Sequence, residues 1–209
     1  MDEWAAIARE RLALAEDLSG VPDAAWDTPT LCTEWRVRDV VAHLVSGATM
    51  RTGEALGGLL KHGFNFNRFM ARDAIARGAA EPAALLAELE AAASSRRTPP
   101  MTKPVDVLLD TVCHAQDIRR PLGLRHSYPE ESLEAVADRL KGYGFPFGTK
   151  KRIAGLRLVA TDAPWATGEG PEASGSLEAL VMVMAGRRAV LADVTGPASD
   201  TLGERLPTS

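Results

Sequence analysis

The chain has 209 residues, of which 45% are hydrophobic and 25% charged, and its formal net charge is −4. This composition excludes disorder as the main state, because such a chain can bury enough apolar surface to fold. We find no basic domain or stripe, which argues against a nucleic-acid partner. The sequence also lacks the ~20 consecutive apolar residues of a membrane span, and its acidic, amphipathic start is unlike a signal peptide. With two cysteines, a reducing cytoplasm is the expected location.

The first two thirds of the chain are predicted to be helical, because apolar residues recur there at helical spacing. A connector rich in Thr, Pro and Trp spans 26–35, and residues 61–81 read as a loop followed by a short helix. The second predicted helix starts near Val37 and could extend towards Leu60 through three weakening glycines. The other predicted helices cover 2–19, 82–95, 104–120 and 130–140. Four principal helices before residue 123 favour a helical bundle.

The pattern changes near residue 145. Alternating apolar residues predict a strand over 153–161 and a short one over 165–168, whereas 169–175 reads as a loop. Ser176 is placed to cap a helix over 177–186, and Ser199 to cap a last short helix. A third strand is predicted over 190–194. The sequence thus predicts a mainly α protein with two domains: a helical bundle over 1–145 and a small α/β domain over 150–209.

Two histidines fall in the middle of predicted helices. Asp110 and His114 are four residues apart, so their side chains lie one turn apart on one helix face. His43 lies on another helix, with Gly47 one turn further on leaving space beside the imidazole. Two histidines and a carboxylate can bind Zn, Fe(II), Ni or Mn. On spacing alone two other interpretations stay open: a solvated Asp–His face and a satisfied core histidine.

Two segments, WDTPTLCTEWRVRDVVAHLV and DTVCHAQDIRRPLG, resemble the mycothiol-dependent maleylpyruvate isomerase family of actinobacteria, part of the DinB-like bundle superfamily. DAPWATGEG and GSLEALVMVMAGRR resemble its smaller C-terminal domain, so the likeness covers most of the chain. It implies a DinB-like four-helix bundle followed by a small α/β domain. It also implies His43, Asp110 and His114 as metal ligands, with Zn first among Zn, Ni, Fe and Mn. The characterised members have Glu at the acid position, where this chain has Asp110.

The resemblance implies that an arginine of the small domain binds the anionic substrate, and Arg187 and Arg188 are the two candidates. A purely structural role at a helix end stays open for both. It further implies mycothiol as a thiol co-substrate and a small acidic substrate, with no nucleic acid and no membrane. A homodimer stays open.

Four further groups of residues call for an interpretation. Cys32 is either a reactive thiol near the site or, as we favour, a partly buried structural cysteine, and Cys113 is assigned to the core. Trp26 and Trp35 are assigned to packing. Asp117 could support a ligand histidine, but a structural pairing with an arginine is favoured. Two histidines fall in predicted loops and are expected to be solvated: His62 and His126.

The function that these observations favour is a metal-dependent, mycothiol-dependent enzyme that adds, isomerises or transfers a thiol on a small electrophilic acid. A non-catalytic metal-binding or interaction bundle is the alternative from another class. A metal-dependent hydrolase, in which bound water is the nucleophile, also stays open. Metal analysis and assays with and without mycothiol would separate these three hypotheses.

Overall fold

The computed structural model describes residues 1–98, 102–145 and 147–207. The chain divides into two compact units, one formed by residues 2–126 and the other by 127–209 together with Met1. The sequence prediction put this division near residue 145. The structure places it earlier, because the helix over Glu130–Lys141 packs against Leu177–Met184 of the second unit.

The described part of the first unit contains six helices. They are α1 (Glu3–Ser19), α2 (Val37–Thr49), α3 (Thr52–Lys61), α4 (Phe66–Arg77), α5 (Pro82–Ala92) and α6 (Pro104–Leu122). The four-helix bundle consists of α1, α2, α5 and α6, and α4 packs on the outer side of α2. The predicted extension of the second helix to Leu60 is wrong, because the chain leaves the helical conformation at Met50 before α3 begins.

The bundle core follows the helical spacing of apolar residues. Its fully buried side chains include Leu14, Val40, Leu44, Leu89 and Ile118, one or more from each of the four helices. Asp2 begins α1 by accepting from the amides of Trp4 and Ala5. Pro104 occupies the first turn of α6, and Gly123 ends that helix in the left-handed conformation. Local signals and burial therefore agree, which explains why the helices of this unit were predictable.

The second unit is a small α/β unit. Its elements are α7 (Glu130–Lys141), α8 (Thr149–Arg152), β1 (Arg157–Ala160), β2 (Ala166–Thr167), β3 (Glu172–Gly175), α9 (Leu177–Met184) and α10 (Ser199–Arg205), with a 3-10 helix over Arg188–Asp193. The three described strands form one sheet of order β2-β1-β3, in which β1 pairs antiparallel with β2 and parallel with β3. Ser176 caps α9 as predicted, accepting from the amide of Ala179. The mainly α fold with a small C-terminal sheet confirms the predicted fold class.

Three local predictions for this unit are wrong. Residues 172–175, predicted as loop, form β3: Ala173 and Gly175 are buried beside β1, and this pairing overrides the low strand propensity of the segment. Residues 190–194, predicted as strand, lie mainly in the 3-10 helix, since only Val190 and Val194 are buried and their spacing is helical. Ser199 is the first residue of α10 rather than its cap.

Among the described residues, no helix is both long and apolar enough to cross a membrane.

The contact between α2 and the end of α4 gives a first testable prediction. A Cβ atom at Gly78 would lie 2.3 Å from Oδ1 of Asp39 and 3.0 Å from its Cα, whereas a Cβ at Gly57 would meet nothing within 4 Å. We expect Gly78→Ala to lower the free energy of unfolding by about 1–3 kcal/mol through overpacking. Gly57→Ala, the matched control within α3, should be neutral or stabilising by up to ~1 kcal/mol. Urea denaturation of both variants would measure this, and equal stabilities would contradict the close packing.

Candidate metal centre

Three side chains that could bind a metal ion meet inside the first unit. His43 projects from α2, and Asp110 and His114 project from α6. The Nε2 atoms of both histidines lie 3.5 Å from the same oxygen, Oδ1 of Asp110. One donor atom from each of the three residues lies within 4.8 Å of the others. The histidine side chains are 11% and 12% exposed and the Asp110 side chain 42% exposed, so the cluster opens to solvent on the carboxylate side.

Helix packing accounts for this convergence. The apolar stripe of α2 faces the bundle, and His43 stands at its edge between the buried Val40 and Leu44. Asp110 and His114 are likewise flanked on α6 by buried residues, including Leu109 and Cys113. Since α2 packs against α6, the polar edges of the two stripes come together. The i, i+4 spacing then brings the imidazole of His114 to the carboxylate of Asp110.

Asp117 sets the orientation of His114. The Nδ1 atom of His114 lies 3.0 Å from Oδ2 of Asp117, whose side chain is fully buried. A carboxylate only accepts hydrogen bonds, so the imidazole of His114 carries a proton on Nδ1, and Nε2 is the ring nitrogen that faces Asp110. The contact with His114 supports the interpretation of Asp117 as a residue that supports a ligand histidine. Its pairing with an arginine stays a prediction.

The connector before α2 brings Trp35 to both histidines. Its ring centroid lies 5.0 Å from that of His43 and 5.8 Å from that of His114. Hydrogen bonds within the loop shape it, because the Thr30 hydroxyl donates to the Trp35 carbonyl. The Leu31 amide also donates to the Asp117 carbonyl, which ties the loop to α6. Trp35 therefore has the predicted packing role, and it packs against the candidate site. Trp26 belongs to the bundle core.

Charge around the cluster favours an ionised carboxylate. Burial by the surrounding protein raises the pKa of Asp110, but the positive charges of His43 and His114 outweigh it and hold that pKa well below its ordinary value. Arg11 of α1 adds to this effect. Its guanidinium is buried and donates to the carbonyls of Ala92 and Ser95. Arg11 was not predicted as a site residue, because its position within an apolar stripe gives no signal of its partner.

His43 is held less strictly than His114. Within the described part of the chain, its Nδ1 atom is buried and has no hydrogen-bond partner. Asp117 therefore fixes the tautomer of His114. The tautomer of His43 depends on the group that its Nε2 atom contacts.

A comparison with protein families identifies the first unit. Residues 7–116 match the family described as the mycothiol maleylpyruvate isomerase N-terminal domain, a match that covers more than half of the chain. The chain belongs to this family. The match includes all three residues of the candidate metal centre and confirms the resemblance found in the sequence.

Solved structures support the fold of this family member. It is similar to a crystal structure of the mycothiol-dependent maleylpyruvate isomerase, with a TM-score of 0.62 and 18% sequence identity. It is also similar to a histidine-to-alanine mutant of that enzyme, with a TM-score of 0.63 and 17% identity. Each comparison covers 95% of this chain and 92% of the other. No protein of curated function matches the sequence.

Cys32 of the connector also lies near the site. Its sulfur, a ring nitrogen of His114 and a carboxylate oxygen of Asp117 lie within 4.8 Å of one another. Cys32 is half-buried and forms no disulfide with another described residue. Cys32 is therefore partly buried, as expected of a structural cysteine, and it lies next to the site, as expected of a reactive thiol. Cys113 is buried in the core, as predicted.

Arg187 and Arg188, the predicted substrate-binding residues, belong to the second unit. Arg187 precedes the 3-10 helix and donates to the carbonyl of Ala185, and Arg188 is exposed and donates to the carbonyl of Gly203. Each arginine donates to a backbone carbonyl near a helix end, which a purely structural arginine also does. Their role in substrate binding stays a prediction.

The two histidines predicted to be solvated are both held by the protein. His126 donates from Nε2 to Glu10, whose side chain is fully buried, at 2.8 Å. His62 donates from Nδ1 to the carbonyl of Gly58 at 2.9 Å and lies beside the ring of Phe69. The prediction is wrong for His126 because its position in a loop does not show that a buried acceptor of α1 faces it, and for His62 because this residue ends α3 and bonds back to that helix.

Proposed function

We propose that His43, Asp110 and His114 bind a divalent metal ion. The observation that carries this proposal is the approach of both Nε2 atoms to one carboxylate oxygen, at 3.5 Å each. Donor atoms that share a tetrahedral ion at about 2.0–2.2 Å stand roughly 3.3–3.5 Å apart. The spacing therefore suits a shared ion. The carboxylate is ionised, and the proton that Asp117 holds on Nδ1 of His114 leaves Nε2 as the nitrogen that would bind the ion once it is deprotonated.

The surrounding residues support such a site from three sides. Asp117 orients His114 and makes its imidazole a better donor, as carboxylates behind metal-bound histidines do. Trp35 covers one side of both imidazoles and limits the access of water to them. Arg11 contributes positive charge that keeps Asp110 ionised. Zinc is our first assignment, with nickel, iron and manganese also compatible with two imidazoles and one carboxylate.

We further propose that the protein is an enzyme that uses mycothiol and a small electrophilic acid. Membership in the mycothiol maleylpyruvate isomerase family supports this assignment. A bound divalent ion lowers the pKa of a thiol ligand and so makes thiolate available at neutral pH. The half-exposed Asp110 side of the cluster is where a thiol would enter, and Trp35 would keep the opposite side dry. Arg187 and Arg188 are the proposed contacts to the acid. A cytoplasmic location is part of this proposal and agrees with two cysteines that form no disulfide in the described part of the chain.

Metal analysis of the purified protein, followed by assays with and without mycothiol, tests both proposals. Near-stoichiometric metal and a thiol-dependent conversion of a small unsaturated acid are the expected results. Metal with thiol-independent hydrolysis would overturn the thiol chemistry in favour of a hydrolase. Protein that binds none of the four metals would overturn the metal centre and favour a non-catalytic bundle.

A substitution at the acid position makes the proposal specific to this chain. We expect Asp110→Glu to retain metal, because the 42% exposed side chain has room for one more methylene and the resembling enzymes have Glu there. Asp110→Asn should weaken metal binding by more than the roughly 10–100-fold typical of a supporting residue. Asp106→Glu, one turn earlier on α6, is the matched control and should leave metal content unchanged. Metal titration distinguishes the three variants, and wild-type affinity in Asp110→Asn would exclude Asp110 as a ligand.

A further inference from the structure

An open cleft in the first unit lies next to the loop that carries Trp35. It has a volume of about 640 Å³ and is formed by one side of α4, from its cap Asn65 to Ile75, and by Glu34. This volume falls within the roughly 300–1,000 Å³ typical of small-molecule sites. The polar groups that line it are two amides, two guanidinium groups and one carboxylate, from Asn65, Asn67, Arg68, Arg72 and Glu34.

The two arginines are the chemically distinctive part of the cleft. Arg68 and Arg72 are four residues apart on α4, so their side chains lie on one face of the helix, where like charges repel. Both are exposed. Neither side chain makes a hydrogen bond or ion pair within the described part of the chain, whereas Arg77, further along the same helix, is paired with Asp73. Each of these two guanidinium groups has the planar fork of donors that binds a carboxylate in a bidentate manner.

Glu34 connects the cleft to the loop that covers the metal centre. Its φ of 75° places it in the left-handed region, which is rare for a residue with a side chain. The next residue is Trp35, whose ring packs against His43 and His114. Backbone strain of this kind is common at ligand-binding loops. The carboxylate of Glu34 also reduces the formal charge of the cleft lining to +1, so the lining still attracts an anion, and Glu34 weakens that attraction.

We propose that this cleft binds a small carboxylic acid, with Arg68 and Arg72 on its carboxylate and with Asn65 and Asn67 on its remaining polar groups. This inference goes beyond the proposed function, in which Arg187 and Arg188 contact the substrate, and the acid in the cleft is a separate ligand. Binding of the acid itself requires no metal and none of the three proposed metal ligands. The two proposals can therefore fail separately.

Isothermal titration calorimetry of the metal-free protein with maleate, a four-carbon dicarboxylate, tests the cleft directly. Arg68→Ala and Arg72→Ala should each weaken maleate binding roughly tenfold or more, the loss expected for a charge-assisted hydrogen bond. Arg72→Lys should recover only part of this loss, because a lysine lacks the planar fork. Glu34→Gln should act in the opposite direction and strengthen binding a few-fold by removing a negative charge. Arg77→Ala, on the same helix but outside the cleft, is the matched control.

Two further controls complete the experiment: a variant of the metal centre, His114→Ala, and an uncharged ligand, myo-inositol. Metal-free His114→Ala should bind maleate as tightly as wild type, which separates this site from the metal centre. Retained maleate binding in a protein that binds no metal would leave the cleft proposal standing and overturn only the metal proposal. The cleft proposal is overturned if the Arg68, Arg72 and Arg77 variants bind maleate equally. It is also overturned if myo-inositol, an uncharged polyol, binds the cleft in preference to the acid.

Discussion

Purified His114→Ala protein should contain almost no divalent metal and should lose all thiol-dependent activity, while keeping its fold. The variant removes one of three donors and leaves His43 and Asp110, which do not complete a structural or catalytic site of the usual three or four ligands. The bundle should still form, because its core consists of apolar side chains from four helices and does not include the imidazole.

Thermal melting measures the same effect as a free energy. A ligand that binds only the folded protein stabilises it by about 2.7 kcal/mol when its free concentration is 100 times its dissociation constant. Added Zn or Ni should therefore raise the melting temperature of the wild type and leave His114→Ala unchanged. His62→Ala, which removes a histidine outside the cluster, should respond to metal as the wild type does. If wild type and His114→Ala melt identically with and without metal, the Asp110–His114 pair is only a polar helix face.

The sequence predicts the helices of the first unit well because two independent signals coincide there. Apolar residues at helical spacing define the stripes of α1 and α6, and capping residues such as Asp2 and Pro104 mark where helices begin. Where one signal is weak, the prediction fails: the three glycines lie inside α3, and none of them marks the break between α2 and α3 at Met50. The strand β3 escaped prediction because Glu, Ser and Gly have low strand propensity, and only its pairing with β1 reveals it.

The candidate site was predictable to the extent that its geometry is local. The i, i+4 spacing of Asp110 and His114 is a property of one helix and can be read from the sequence. The choice of His43 as partner depended on a resemblance, since no local rule states which helix packs against α6. Trp35, Arg11 and the link between Asp117 and His114 depend on how the connector and α1 fold onto that helix. A sequence alone does not contain those contacts in readable form.

Asp117→Asn should weaken metal binding roughly 10–100-fold without removing any proposed ligand, as is typical when the partner of a metal-bound histidine is changed. The carboxylate can only accept a hydrogen bond, so it fixes the proton of His114 on Nδ1. An asparagine of nearly the same shape can donate as well as accept. It would therefore permit the other tautomer, in which the proton is on Nε2 and occupies the position where the ion would bind.

Nitrogen NMR chemical shifts of His114 provide a readout that a merely structural role of Asp117 would not change. At a pH where the imidazole is neutral, the metal-free wild type should carry its proton on Nδ1, and Asp117→Asn should show a mixture of both tautomers. Asp73→Asn is the matched control, because Asp73 also accepts from neighbouring side chains, those of Ser46 and Arg77, but lies outside the cluster. It should change neither the shifts nor metal affinity. If Asp117→Asn weakens metal binding while the tautomer of His114 stays as in the wild type, the carboxylate acts through its charge and not by orienting the ring.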